Sequence, residues 1–489
     1  MKKFHLIFAL ILTLSWNAAC GQSFTPDILK EIRTIETGLI PGILVKGEPE
    51  KRYTLEERMA FYNVPGLSIA VIRDGKIRWA KGYGIANTRT GKAVDVNTMF
   101  QAGSISKPLA ALGALLLVQE GKVDLDADVN TYLKTWKVPE NELTKTEKVT
   151  LRRLLTHTAG MTVHGFPGYT YLDKFPDIET VLNGKGNTPA IFVDVVPGTI
   201  WRYSGGGYTV MEKMVEDMTG MPLDKYLAKK VLGPLKMKNS TYAQPLPKKW
   251  RKNASAAYHG DGEIVEGLWH NYPEQAAAGL WTTPSDLARY CIEIQEALAG
   301  KSHKVLNRET VEKMLTKHLG NWGLGPSLRW DADSLIFQHG GKNEGFTNNM
   351  MAFARRGDGL IVMTSADRGG DLIGEINRAV SKLYSWNVYN PKMIEVIRLA
   401  ENDLAAMAGK YKLTEQVPGI GDYLVDVSVE DDGLKVFDPN NQDTNHLKPT
   451  AGDKFTDINT GDEVVLKLDA DGKVTGFVWN GRFEFTRVE

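Results

Sequence analysis

The run Leu109-Ala110-Ala111-Leu112-Gly113-Ala114-Leu115-Leu116-Leu117-Val118 is apolar on every side, so a helix formed there has no solvent face. A chain that carries it must build layers of structure around it. The run stops at Glu120-Gly121-Lys122, where the glycine suits a left-handed C-terminal cap, and it starts after Pro108, a residue tolerated near a helix start. The pattern predicts a buried helix that opens close to Ser104, within Gln101-Ala102-Gly103-Ser104-Ile105-Ser106-Lys107-Pro108. Residues at i and i+3 share a helical face, which sets Lys107 beside Ser104. A helix N-terminus leaves N–H groups unsatisfied and favours negative charge, so a serine there can offer its own N–H to a developing oxyanion. A desolvated lysine gives up its proton more readily and can take one from that serine. The bland alternative is a serine cap with a solvated lysine, and Ser-x-x-Lys alone favours it.

Before this helix, Thr54-Leu55-Glu56-Glu57 reads as a capping box opening a helix that ends near Asn63-Val64-Pro65-Gly66. The strands Leu67–Ile72 and Lys76–Gly84 join through Asp74-Gly75, a strong hairpin signal. Asp124, Asp126 and Asp128 alternate as in calcium loops but lack the glycine and final glutamate, so a solvated turn is expected. Leu151 to Met161 reads as a short helix breaking into a loop, with His157 in a structural role. The segment from Thr162 to Pro197, rich in Gly, Pro and aromatics, is a candidate rim for a pocket.

Two further stretches carry chemistry. In Tyr203-Ser204-Gly205-Gly206-Gly207-Tyr208 the glycines admit close backbone approach ahead of a helix expected over Thr209 to Met218, and no Lys-Ser or Lys-Thr follows as in a nucleotide-binding loop. In His339-Gly340-Gly341-Lys342 glycines let a strand edge come close to a substrate. Thr283-Pro284 marks a helix start, Asp358-Gly359 a second hairpin, and Leu372 to Tyr384 a closing helix. From about Ala405, short alternating runs separated by Asp-Gly turns indicate an all-β, barrel-like domain.

Taken in order, Ser104-Ile105-Ser106-Lys107, Tyr203-Ser204-Gly205 and His339-Gly340-Gly341 resemble the three active-site motifs of the serine β-lactamase and penicillin-binding-protein superfamily. The nearest branch is the class C-like group of esterases and D-amino-acid peptidases. Val64-Pro65-Gly66, Leu154 to Gly160, Gly233 to Met237 and Ala278-Gly279-Leu280-Trp281 match as well, and the likeness covers roughly residues 50 to 385. The resemblance implies an α+β fold, an antiparallel sheet flanked by helices plus a helical lobe, followed by a lipocalin-like barrel. The expected divisions are a signal peptide at 1–21, a hydrolase domain at 22–390 and an all-β domain at 400–489. It implies two-step acyl transfer with Ser104 as nucleophile and with Lys107 and Tyr203 sharing base and relay work. The oxyanion would be held by the N–H groups of Ser104 and Lys342, and His339 would stand where penicillin-binding proteins have lysine. Gly205 and Gly341 complete the implied substrate-binding set with Lys342. Gly205 stands where many relatives have an asparagine, and Gly340 where they have a hydroxyl residue, and both departures weaken a dedicated β-lactamase reading.

No cofactor or metal is expected, since His157, His164, His259, His270 and His339 show no paired ligand spacing. Lys plus Arg and Asp plus Glu both number 59, which gives no reason to expect nucleic acid as a partner. The leading expectation is a secreted serine hydrolase acting on an ester or amide, among them D-amino-acid or peptidoglycan-derived peptides and β-lactams. The alternative is a non-catalytic envelope binding or β-lactam-sensing protein. Met1-Lys2-Lys3 and the apolar core Phe4 to Leu14 read as a secretory signal, cleaved near Gln22 to a soluble periplasmic product. Cleavage before Cys20 with lipid attached there, anchoring the protein to a membrane, is the competing reading. Cys20 and Cys291 are the two cysteines, so no disulfide is expected in the mature chain.

Overall fold

The structure, a computed structural model, describes residues 24–415, 422–439 and 443–488; the expected signal peptide and Cys20 lie outside them. The chain divides into two compact units that interleave in sequence: Val64–Trp330 with Ser334–Asp367, and Leu29–Asn63 with Asp331–Asp333 and Arg368–Glu489.

In the first unit the two expected hairpins meet. Asp74 and Gly75 both take left-handed conformations (φ 51° and 69°) and join Gly66–Arg73 to Lys76–Asn87, as a two-residue turn between twisted strands requires. Gly359–Thr364 pairs antiparallel with Gly66–Arg73 on one side and with Phe346–Phe353 on the other, Ile361 facing Ala70 and Met350. A seven-stranded sheet results, with Ser334–Asn343 next to Phe346–Phe353 and Ser327–Asp331 beyond it. The helix Pro284–Leu298, capped by Thr283, lies against the central strands and is tied to them by Gln295 Nε2, which donates to Phe353 O and Asp358 O. Its Cys291 is a free, buried thiol whose ionisation burial pushes up.

The apolar run forms the helix Ser106–Gln119, preceded by a 3-10 turn over Gly103–Ile105, and every residue from Ser106 to Leu117 is buried. Gly121 closes it in the left-handed conformation at φ 67°. It packs against Gly205–Thr219 and the short helix Gln275–Ala278. The glycine-rich helix begins at Gly205, four residues before the expected Thr209. Ser204 caps it, accepting from Gly207 N at 2.9 Å, and side-chain-free glycines let its first turn lie against the backbone of Thr162 to His164.

In the second unit the Thr54 capping box is formed on the helix Leu55–Phe61. Arg58 of that helix pairs with Glu375 of Gly369–Leu383 at 2.6 Å, both buried, and Tyr62 OH donates to the same carboxylate. Eight strands from Gly409 to Arg487 close a barrel around Tyr411, Phe455, Phe477 and Phe485. The architecture is thus the expected α+β arrangement followed by a small all-β barrel. Among the described residues no helix is long and apolar enough to cross a membrane.

Candidate active site

The turn that carries Ser104 is pinned from several directions. Ala102 N donates to Leu280 O, Ser106 Oγ to Gly103 O, Leu280 N to Ser106 Oγ and Tyr242 OH to Ser106 O. Ser104 is half-buried at the helix start, where the first N–H groups have no intrahelical acceptor. Gly103 sits at φ 53° against the peptide of Lys342, and a Cβ there would stand 2.6 Å from Lys342 N. Gly341 has a tighter constraint, because a Cβ on it would lie 1.9 Å from Ala102 O. Two glycines therefore bring the strand Ser334–Asn343 backbone to backbone with the Ser104 turn.

Lys107 is 2% exposed. Its Nζ donates to Ser104 Oγ at 3.1 Å and to Ala277 O at 2.9 Å, and lies 4.9 Å from the Tyr203 ring centre and 5.6 Å from that of Tyr208. Burial without a compensating carboxylate brings its pKa down to about 7. The bland reading of a solvated lysine is excluded by this geometry.

Tyr203 is half-buried as a residue, but its hydroxyl is closed from solvent and has no hydrogen bond. Burial pushes the phenol well above its ordinary range, and Ser104 nearby counters this only in part. Its ring lies 4.2 Å from His157, 5.0 Å from His164, 5.9 Å from Trp322 and 6.2 Å from His339, centre to centre. His157 takes the structural place expected of it: Nδ1 accepts from Ser204 N at 3.1 Å, and burial holds the ring neutral. His339 is also neutral, its pKa brought down to about 3 by burial and then by the Lys107 ammonium. Nδ1 of His339 lies 2.5 Å from Gly340 O, which makes that nitrogen the donor and leaves Nε2, buried and unpartnered, as an acceptor.

The remaining expected residues divide by what they expose. Gly205 is buried; its N–H goes to His164 O, and Phe166 Cε2 stands 2.8 Å from where its Cβ would be. The Lys342 side chain is exposed, with Nζ 4.0 Å from Asp367.

Several site residues carried no linear signal. Asn343 Nδ2 donates to Gln101 Oε1 and Ala278 O, tying the strand that bears His339 to the short helix that holds Lys107. Glu212 anchors that same helix by accepting from Ala276 N at 2.8 Å. Glu274, at its start, is fully buried with both oxygens unpartnered, and burial raises its pKa to about 8. Histidine spacing likewise hid one cluster of metal-ligand type: His259, Glu344 and Asp367 offer atoms within 4.8 Å of one another. In the structure His259 Nδ1 lies 3.0 Å from Glu344 Oε1, and Asp367 accepts from Gly345 N.

Comparison with known proteins bears on the same residues. A family model described as Beta-lactamase matches residues 52–382. Protein flp of Staphylococcus aureus (strain N315) is 24% identical over 313 residues, 62% of this chain, and the chain spans 60% of that relative's length. Penicillin-binding protein 4 of Amycolatopsis lactamdurans is 27% identical over 288 residues, 55% of this chain and 73% of that protein. Among solved structures, the octameric penicillin-binding protein homologue from Pyrococcus abyssi superposes with a TM-score of 0.59 at 22% identity, covering 88% of this chain and 98% of that one. SurE with D-Leu superposes with a TM-score of 0.54 at 22% identity, covering 89% and 97%. Both structural likenesses concern the fold.

Proposed function

This chain belongs to the Beta-lactamase family, and on that premise we propose that it is a serine hydrolase working through an acyl-enzyme on Ser104. The observation that carries the reading is the buried Lys107 amine 3.1 Å from Ser104 Oγ. With a pKa of about 7, Lys107 is substantially neutral near neutral pH, whereas the Tyr203 phenol keeps its proton. The first base is therefore Lys107. Ser104 Oγ bonds to the substrate carbonyl carbon while its proton passes to Lys107 Nζ. The oxyanion so formed is met by the N–H groups of Ser104 and Lys342, preset by the glycine contacts between turn and strand. As the tetrahedral centre collapses, the bond to the leaving group breaks, Tyr203 gives its proton to that group, and Lys107 re-protonates Tyr203. Water then repeats the sequence on the acyl-enzyme, releasing the acid and restoring the Ser104 hydroxyl. His339, neutral, accepts at Nε2 rather than donates.

An ester is the favoured substrate over a β-lactam or a D-amino-acid peptide, because the space beside Gly205 is filled by a phenyl ring rather than by a polar side chain. Export under the signal at residues 1–21 puts the enzyme outside the cytoplasm, with Gln22 or a lipid-bearing Cys20 as its first residue. The mass of the exported protein separates these two.

The test is time-resolved intact mass of the protein mixed with p-nitrophenyl acetate, beside Ser104→Ala. A transient acetyl adduct on the wild type, absent in the variant, is expected. Hydrolysis at the same rate in both proteins rejects Ser104 as nucleophile, and a stable adduct without turnover selects the acyl-trapping binder instead.

A further inference from the structure

The rings around Tyr203 continue outward past the reacting groups. Trp322, half-buried, lies 5.9 Å from Tyr203 and 5.5 Å from His339, and the Trp201 ring is tilted against it at 39°, centres 5.3 Å apart. Gly320, at φ 66°, brings its backbone flat onto Trp201, where a Cβ would stand 2.4 Å from the indole. Next to these rings Ile200 is 45% and Leu319 50% exposed, and Trp201 itself 37%. Phe166 takes up the space beside Gly205, which follows Tyr203 and Ser204 in the chain.

What this wall lacks is as informative as what it has. The Trp322 indole N–H is committed to Gly325 O at 3.1 Å. The Arg202 guanidinium is turned onto Gly160 O, Met161 O and the Asp194 carboxylate. His157 and His339 are neutral rings. Phe166, Trp201 and Trp322 therefore offer ring surface with no charge of their own, the exposed His164 ring standing 5.0 Å from Tyr203, and a large apolar surface left open beside reacting groups is where an apolar ligand gains most.

We propose that Phe166, Trp201 and Trp322 form an acyl slot that selects uncharged aliphatic or aromatic acyl groups, so that the substrates are esters of apolar acids. This rests on the hydrolase reading above and names its substrate class. No step beyond that acyl transfer is added.

The test measures binding apart from turnover. Ser104→Ala protein is titrated calorimetrically with p-nitrophenyl acetate, butyrate and hexanoate, and the same esters are turned over by the protein with Ser104 intact. Kd in the Ser104→Ala protein should tighten by about two- to fourfold per added methylene. Adding Trp322→Ala or Phe166→Ala should at least halve that chain-length dependence, whereas Trp330→Ala, an exposed tryptophan elsewhere on the unit, should keep it. A Kd independent of acyl length, or a dependence unchanged in both wall variants, overturns the slot. Length-dependent binding with no turnover by the Ser104 protein upholds the slot and rejects the hydrolase. The series in the Ser104→Ala protein decides the question even where a wall variant fails to fold.

Discussion

At the scale of single residues, Lys107 illustrates how position and environment divide the work. Its place three residues after Ser104 follows from helical spacing, but its lowered pKa follows from the helices packed over it. On the proposed mechanism the neutral amine is the active form, so kcat/KM for ester hydrolysis should rise about tenfold per pH unit on the acid side and level off above a pKa near 7. His339, with a pKa of about 3, titrates below that window and should add no second limb. Lys107→Arg, which stays charged and longer, should cost about 10²- to 10⁴-fold and abolish the limb. A pH–rate profile with unchanged limb in that variant would sink the assignment of the base. Ser104, Lys107 and Tyr203 were legible because each sits in a short motif with local chemistry. Trp322 and His164 were not, since what makes them part of the site is a ring contact with a residue distant in the chain.

At the scale of elements, the site is made where the Ser104 turn meets the strand Ser334–Asn343. Gly341 carries that meeting, because any side chain there collides with Ala102 O at 1.9 Å and the strand must withdraw. Gly341→Ala is expected to lower kcat by tenfold or more, since Lys342 N moves away from the proposed oxyanion position, and to destabilise the protein by about 1–3 kcal/mol. Kinetics with a short ester and thermal melts check this; wild-type kcat in a folded variant contradicts it. The same element shows why the Gly205–Thr219 helix starts earlier than the apolar pattern indicates. Glycines score poorly as helix formers, yet here the Ser204 cap and the loop pressed against them outweigh propensity.

At the scale of the whole molecule, the two compact units each have their own hydrophobic core, one around the Ser106 helix and the other inside the barrel. Phe477 is 3% exposed in the barrel, stacked on Phe485 at 4.7 Å and 5.0 Å from Tyr411. Phe477→Ala should cost the barrel about 3–5 kcal/mol and, in scanning calorimetry, move one transition while leaving the other in place. Acylation of Ser104 below both transitions should be unaffected. Equal shifts of both transitions would mean that the cores unfold as one.

The sequence by itself determined the buried helix, the hairpins, the capping box, the barrel and the order of the three motifs, because each rests on contacts within a few residues or on a simple hydrophobic period. Only the tertiary structure decided which groups are charged and which surfaces meet. It buried Lys107 without a carboxylate, left His339 an acceptor, filled the space beside Gly205 with Phe166, and drew Leu29–Asn63 into one unit with the barrel. Desolvation and ring packing depend on what arrives from elsewhere in the chain, and no local pattern encodes that arrival.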